Sequence, residues 1–157
     1  MAGGGMCPPD GSWRDPGFPQ TDDHPVTCIR LADARAYAAW LTRITGSTYR
    51  LPTEAEWDRA ARASRVGCSQ TRTGVRGTCP VGSYGQNFAR VADMLGNVWE
   101  WTDEGTLRGG GWDTPRADLH VGARADPEHV FRFTVGFRIV REPPEHIQRQ
   151  LDRGERR

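Results

Sequence analysis

A stretch of mixed charge between residues 113 and 135 holds most of the side chains that could do chemistry. They share close spacing and a polar or ionisable group: Asp113, Thr114, Arg116, Asp118, His120, Arg124, Asp126, His129 and Arg132. Carboxylate, hydroxyl, imidazole and guanidinium groups supply hydrogen-bond donors and acceptors in every geometry, and arginine and histidine also stack on flat ligands. The stretch therefore indicates either a ligand-binding surface or an ordinary solvated loop. No Ser-His-Asp grouping or glycine-rich phosphate loop stands out in the sequence to indicate catalysis.

The four cysteines lack the spacing of a metal site. The sequence contains no CxxC pair and no zinc-type Cys/His spacing. Cys28 lies in the apolar run VTCI, which predicts a buried thiol. Cys68 and Cys79 bracket a loop rich in glycine and threonine, and a disulfide and two free thiols are both open there. The first residues have neither the basic nor the apolar region of a signal peptide, so export is not predicted.

The composition indicates one loop-rich domain without a global charge field. The 157 residues include 19 glycines and 11 prolines, and the formal net charge is +1. A chain of this length builds one core, and a charge near zero gives no general attraction to nucleic acid or to a membrane surface. No run of 18 apolar residues occurs, so the sequence predicts no membrane span.

Two stretches have helical periodicity. Apolar residues at three- and four-residue steps from Leu31 predict a helix that ends at Gly46. Thr53 followed by Glu56 has the pattern of a capping box, which predicts a second helix from there to about Ala63.

Short strands and irregular segments account for the rest of the chain. Glycine boundaries and β-branched or aromatic residues predict strands over residues 26–29, 97–102, 107–112 and 135–140. Residues 64–92 have little periodicity and indicate a long surface loop, with a short edge strand open for residues 80–84. The polar tail carries Ile147 and Leu151 at four-residue spacing, which fits either a solvated helix or a helix that docks on a partner.

Long sequence motifs resemble a known family. The strings are RLPTEAEWDRAARA from Arg50, DMLGNVWEW from Asp93, RGGGW from Arg108 and GFR from Gly136. Their order and spacing resemble the second half of the formylglycine-generating enzyme domain, over about residues 24–141. The resemblance implies an α+β, C-type lectin-like fold with two helices, small twisted antiparallel sheets and long loops.

The same resemblance divides the chain and identifies buried anchors. Residues 1–23 are expected to form an extended arm, residues 24–141 an N-terminally truncated family domain, and residues 142–157 a polar tail. The tryptophans inside element patterns are expected to lie in the core: Trp40, Trp57, Trp99 and Trp101. Because the early strands of the family domain are missing, we expect an open sheet edge that the arm, a second copy or a partner chain covers.

The catalytic cysteines of the family have no counterpart in this chain. Family enzymes bind copper through two thiolates, whose positions fall near Arg116 and Val121. Neither residue can bind copper(I), so the resemblance argues against formylglycine generation and copper is not expected. Some relatives use a non-haem iron, and His24, His120 and His129 are the candidate ligands for such a site. A metal-dependent oxidase or an enzyme subunit is therefore the alternative function.

The resemblance also implies a structural calcium site. In the family one stretch supplies two side chains and two backbone carbonyls, which here correspond to Asp93, Gly96, Val98 and Glu100. Calcium prefers hard oxygen ligands of this kind. The alternative is that Asp93 caps a turn and Glu100 pairs with an arginine.

The leading hypothesis is a non-catalytic binding or assembly module on a C-type lectin-like scaffold. Its expected ligand face comprises Trp112, Asp113, Thr114, Arg116, Asp118, His120, Arg124 and Asp126, within residues 112–132. The expected partner is a protein, a glycan or another copy of the chain. Variable proteins of diversity-generating retroelements have a similar layout, and a phage or prophage structural or receptor-binding role fits by analogy of fold. A cytoplasmic or virion-associated location follows from the missing signal peptide.

Overall fold

The computed structural model describes residues 7, 11–74, 76–130 and 132–154, with side chains described to residue 150. The longest helix is α1, Leu31–Thr45, which ends at Gly46 with the left-handed φ of 72° that closes such helices. The second, α2, spans Glu54–Ala61. Thr53 accepts from the Glu56 backbone while the Glu56 carboxylate accepts from the Thr53 backbone, so the predicted capping box is present.

The remaining elements are short. The helices are α3, Gln70–Thr73, and α4, Glu145–Gly154. The strands are β1 (Tyr49–Arg50), β2 (Trp99–Trp101), β3 (Leu107–Arg108), β4 (Arg124–Ala125), β5 (Val135–Phe137) and β6 (Val140–Arg141). Turns of 3-10 helix span Arg116–Asp118 and Arg132–Thr134.

A four-stranded sheet in the order β4-β3-β2-β5 forms the centre of the molecule. Strands β2 and β3 are antiparallel, as are β3 and β4, whereas β2 and β5 are parallel with Glu100 opposite Gly136. The β2–β5 pair departs from the expected antiparallel pairing, because the chain leaves β3, crosses the polar stretch and returns on the far side of β2. Strands β1 and β6 form a separate antiparallel pair.

Two clusters of buried side chains hold the elements together. The larger gathers Ile29, Ala34, Leu51, Trp99, Trp101, Leu107, Ala123 and Val135, and the smaller gathers Trp57, Ala61, Met94 and Leu95. Three of the four expected core tryptophans are buried. Trp40 is 43% exposed, contrary to the expectation, because it lies on the outward face of α1 beside Tyr37.

Several local expectations are wrong. Residues 26–29 form no strand, because Cys28 has a left-handed φ of 62° and its backbone N–H donates to the Arg132 carbonyl. Cys28 is not a buried thiol but is disulfide-bonded to Cys7. Residues 80–84 form turns rather than an edge strand, and the loop expected over 64–92 contains α3.

The second disulfide answers a question that the sequence left open, and the tail is helical. Cys68 and Cys79 are joined, and the tail forms α4, in which Ile147 is 37% exposed. The side chain of Leu151 lies outside the described residues, as do residues 1–6 and 8–10 of the predicted arm and residues 155–157 of the tail. In the part of the chain that is described, no helix is long and apolar enough to span a membrane.

Candidate functional site: an acidic cleft beside the central sheet

The polar stretch folds into a loop that is held by glycine turns and by the buried side chain of Leu119. After β3, Gly109 and Gly110 take positive φ angles of 92° and 81°. A Cβ atom on Gly110 would collide with the side chain of Leu119, which is 4% exposed. The Gly111 backbone N–H donates to the Thr114 hydroxyl at 2.9 Å. The glycine turn and the buried Leu119 therefore fix the loop against the sheet.

This loop and β4 line an open cleft of about 800 Å³. Six of the eight residues expected to bind a ligand line it: Asp113, Thr114, Asp118, His120, Arg124 and Asp126. Trp99 from β2 and His129 also line it. The structure thus brings most of the polar stretch to one concave surface, which is the shape that ligand sites favour.

Trp112 and Arg116 do not line the cleft. Trp112 is 2% exposed, and its ring contacts Phe18 and Phe133 at centroid distances of 5.6 and 5.9 Å. It anchors the loop from below rather than facing a ligand. Arg116 is exposed on the outer side of the 3-10 turn.

The charged groups of the cleft differ in how they are compensated. The Arg124 guanidinium lies 2.5 Å from the Glu54 carboxylate, and Asp126 lies 3.6 Å from the His129 ring. Asp113 and Asp118 have no ion pair among the described residues. Burial raises the pKa of Asp113 above its usual value, with a smaller opposing effect from the charge of Arg76.

A second charged group lies under the cleft around the indole of Trp57, and we call it the Trp57 ionic cluster. It consists of Trp57, Glu54, Asp58, Glu100, Arg108 and Arg138. Arg108 is 1% exposed, and its guanidinium pairs with both Glu54 and Asp58. The same guanidinium donates to the Val121 carbonyl at 2.8 Å and lies 5.1 Å from the centre of the Trp57 ring.

Glu100 holds the other half of this cluster. Both carboxylate oxygens of Glu100 accept from Arg138 at 2.5 Å, and one also accepts from the Trp57 indole N–H at 2.7 Å. Arg138 further donates to the Ala92 carbonyl at 3.1 Å. Sequence reasoning missed Arg138 as a site residue, although the GFR motif that contains it was recognised.

The residues expected to bind calcium lie close together. Asp93, Val98 and Glu100 line one cavity of about 300 Å³ with Arg138, whereas Gly96 does not line it. Asp93 Oδ2 accepts from the Gly82 backbone at 2.6 Å, but Oδ1 is buried without a hydrogen-bond partner. An orphaned carboxylate oxygen fits a hard cation. Glu100 retains little capacity to bind a cation, because its carboxylate already accepts three hydrogen bonds from Trp57 and Arg138.

The residues at the family's copper positions do not fit copper. Val121 and Arg116 carry no thiol, and all four cysteines of the chain are paired in the disulfides Cys7–Cys28 and Cys68–Cys79. A thiolate site for copper(I) is therefore not available in the cleft.

The three histidines considered for iron do not meet. His120 and His129 line the cleft, whereas the ring of His24 lies 2.8 Å from the Thr78 hydroxyl and does not line it. Within the described ranges no group of three or more His, Cys, Asp or Glu side chains is placed to hold a metal ion.

Comparison with known proteins matches these features to a family. The model of the sulfatase-modifying factor enzyme 1-like domain matches residues 3–143. The formylglycine-generating enzyme of Mycobacterium tuberculosis is 36% identical over 125 residues, which cover 60% of this chain and 40% of that protein. The inactive C-alpha-formylglycine-generating enzyme 2 of Bos taurus is 31% identical over 151 residues, which cover 71% of this chain and 48% of that protein. The chain thus spans less than half the length of these two curated relatives.

A solved structure supports the fold. PvdO from Pseudomonas aeruginosa superposes with a TM-score of 0.71 and 28% sequence identity over 80% of this chain and 65% of that one. The expected α+β, C-type lectin-like fold of the formylglycine-generating enzyme type is confirmed.

Proposed function

Because this chain belongs to the family of sulfatase-modifying factor enzyme 1-like domains, we propose that it is a non-catalytic binding module whose ligand enters the cleft lined by Asp113, His120 and Asp126. The observation that carries the proposal is the convergence of the polar stretch on one cavity that contains no thiol. The bovine relative whose name includes the word inactive supports the same interpretation. The ligand is a protein or a glycan that contacts those residues of the 112–132 loop that line the cleft.

The test is selection of ligands on the intact chain, followed by variants of the loop. Purified protein is panned against a displayed random-peptide library and probed on a glycan array. Ligands that are recovered are then measured against His120→Ala, which alters the cleft, and Arg116→Ala, an exposed residue of the same loop outside the cleft.

We expect His120→Ala to weaken binding by at least about tenfold while its melting temperature stays within about 1 °C of the parent, because surface substitutions change stability little. Arg116→Ala should bind as the parent does. Ligands that bind equally to parent and His120→Ala, or the recovery of no ligand, would contradict the proposal.

The alternative function is a metal-dependent oxidase or an enzyme subunit of the family. The 36% identity to a formylglycine-generating enzyme favours it. Oxygen consumption in the presence of a thiol substrate and added copper or iron, lost on removal of the metal, would support this alternative over the binding module.

We also propose that calcium stabilises the scaffold by binding to the Asp93 carboxylate. The other calcium ligands would be the backbone carbonyls of Gly96 and Val98 and the one remaining acceptor site on the Glu100 carboxylate. Calcium would neutralise the buried Oδ1 of Asp93 and hold the segment that leads into β2. The support is that orphaned oxygen and the cavity that Asp93 and Glu100 share.

Thermal melting with calcium and with a chelator tests the calcium proposal. An ion at 100 times its Kd stabilises the native state by about 2.7 kcal/mol. The shift should vanish in Asp93→Ala and persist in Asp22→Ala, an exposed aspartate away from this cavity. Equal melting curves with and without calcium would remove calcium from the proposal.

The assembly and location of the module form a further part of the proposal. Val26 packs against β5: its backbone carbonyl is so close to Gly136 that a Cβ atom there would collide with it. A homo-oligomer or a partner chain at the remaining edge, β4, is tested by sedimentation at increasing protein concentration. Two disulfides favour an oxidising location, such as the outside of a virion, over the cytoplasm.

A phage or retroelement origin has its own test. A near-copy of the DNA that codes for residues 108–138, found beside the gene, would support diversification of the cleft. Neighbouring genes for virion parts without such a copy would support a structural or receptor-binding role in a phage or prophage.

A further inference from the structure

The charges that line the cleft are unbalanced toward negative. Three carboxylates, from Asp113, Asp118 and Asp126, share the lining with one guanidinium, from Arg124. The whole chain has a formal net charge of +1, so this excess is local to the cleft and not a property of the surface as a whole. A concave site lined by one sign of charge concentrates ligands of the opposite sign.

The one arginine in the lining does not cancel this charge. Its guanidinium lies 2.5 Å from Glu54, which also accepts from Arg108. The positive charge of Arg124 is therefore directed toward Glu54 at the side of the cleft. Asp113 and Asp118 face the cavity without an ion pair to any described residue.

The lack of an ion pair matters most for Asp113, because this carboxylate is the more buried of the two. It is half-buried, and its Oδ1 lies over Gly111, where an added Cβ would come within 3.0 Å of it. Burial raises the pKa of Asp113, and a backbone hydrogen bond and the charge of Arg76 only partly offset this effect. The fold thus keeps a partly desolvated acidic group in the lining of the cleft, where a cationic ligand would offset the lost solvation.

Trp99 adds an aromatic surface to the same cavity. It is 8% exposed and lines the cleft beside Asp113 and Ala123. An aromatic ring attracts a cation through its negative face, and the attraction grows when the cation is desolvated. Carboxylates and an indole in one cavity are the chemistry that recognises a positively charged group.

We propose that the cleft binds a primary ammonium group, as the lysine side chain of a protein partner presents it. An ammonium has three donors on one compact centre, which suits three carboxylates that arrive from separate positions of the loop. A guanidinium favours planar, paired acceptors instead. This inference rests on the proposed function, because it names the chemical class of the ligand for the same cleft.

The probe is the capped tripeptide acetyl-Gly-Lys-Gly-amide, titrated into the intact, disulfide-bonded chain and followed by backbone amide shifts in NMR. The neutral control is the same peptide with Nε-acetyl-lysine, and an arginine peptide separates the two cationic side chains. Variants are Asp113→Asn with Asp118→Asn, and Asp22→Asn as a matched loss of one exposed carboxylate outside the cleft.

We expect the lysine peptide to shift amides of residues 113–126 and to bind at least about tenfold more tightly than the acetylated peptide. The double variant should lose at least about tenfold in affinity, whereas Asp22→Asn should match the parent. Raising the salt concentration should weaken binding, since partly exposed charges are screened. Equal affinity for the lysine and acetyl-lysine peptides, tighter binding of the arginine peptide, or equal losses in both variants would overturn the proposal.

The result separates this inference from the proposed function. A ligand from panning that depends on His120 but not on Asp113 and Asp118 would leave the binding module standing and remove its preference for ammonium groups. If no ligand depends on any residue of the cleft, both proposals fail.

Discussion

Charged side chains occur in two neighbouring regions that the fold treats in opposite ways. In the Trp57 ionic cluster, Arg108 is buried and Arg138 is 25% exposed, and each is matched by carboxylates and backbone carbonyls. In the cleft, Asp113 and Asp118 have no such match among the described residues. Buried charges are tolerated when they are paired, so the cluster is explained by stability. Stability does not explain the half-buried Asp113 in the same way, and this difference is part of the basis for the proposed binding role.

The largest expected effect comes from breaking the cluster at Glu100. Glu100→Gln leaves the Arg138 guanidinium without its anion, and loss of one partner of a buried pair costs about 3–5 kcal/mol. Chemical denaturation in the presence of a chelator measures the change apart from any effect of calcium. The matched control is Glu142→Gln, whose carboxylate pairs with Arg50 but is 43% exposed, with an expected cost below about 1 kcal/mol.

A double variant separates the effect of the ion pair on stability from the effect of side-chain packing. If Glu100→Gln is combined with Arg138→Met, the stranded charge is removed, and part of the stability should return. Equal stability of parent and Glu100→Gln would show that the pair is not what holds β2 against β5.

The next effect concerns the loop of residues 68–79, in which the Gln70 backbone N–H donates to the Trp112 carbonyl. The Cys68–Cys79 disulfide holds Cys79 where its backbone N–H and carbonyl both bond to the Asn97 amide, at 3.0 and 3.1 Å. Replacing both cysteines with serine should cost about 3 kcal/mol for a loop of this length. A reductant should lower the melting temperature of the parent, in which both disulfides are opened, by more than it lowers that of this variant, which keeps only Cys7–Cys28. Removal of Cys7–Cys28 by the same double replacement provides the comparison, and loss of stability only there would contradict the prediction.

The sequence predicts a structural feature well when the residues that determine it are close together along the chain. The capping box of Thr53 and Glu56 and the end of α1 at Gly46 are local, and both are where the sequence places them. Residues 26–29 are not a strand, because the conformation of Cys28 depends on contacts with Arg132 and Cys7 that lie far along the chain. Local pattern carries no information about such contacts.

The candidate site shows the same limit. The spacing of Asp113, His120 and Asp126 within one irregular stretch was enough to predict a shared polar surface, and the structure places them in one cleft. Trp112 belongs to the same stretch but is covered by Phe18 and Phe133. Its burial could not be predicted, because Phe18 comes from a segment that has no regular pattern of its own.

The pair of Arg50 on β1 and Glu56 on α2 is about one third exposed, and we expect its removal to have an intermediate effect on stability. Arg50 holds the pKa of Glu56 at about 2, below the ordinary value of 4.5. Because the folded-state pKa is lowered, the stabilisation is present above pH 4.5 and is lost as the pH falls through about 2. Glu56→Gln should cost about 1 kcal/mol at pH 7, since the carboxylate is 36% exposed and also caps the helix.

Denaturation of the parent and Glu56→Gln at several pH values measures this difference, which should shrink to nothing near pH 2. Glu145→Gln is the control, since its carboxylate is 91% exposed and pairs only with Arg149. A difference that stays constant with pH would mean that the helix cap, rather than the ion pair, accounts for the effect.

The smallest expected effect is a gain in stability on removal of the Asp113 charge. It tests most directly the contrast between the cleft and the Trp57 ionic cluster. Because burial raises the folded-state pKa of Asp113, its ionised form opposes folding at neutral pH, and the molecule gains stability as the pH falls below that pKa. Asp113→Asn should therefore raise the melting temperature at pH 7, by no more than about 2 °C. The difference should disappear in acid, where both side chains are neutral. A lower melting temperature for Asp113→Asn would mean that this carboxylate stabilises the fold, as those of the Trp57 ionic cluster do. A gain in stability together with a loss of binding to the lysine peptide would show that the cleft keeps its charge for its ligand and not for its fold.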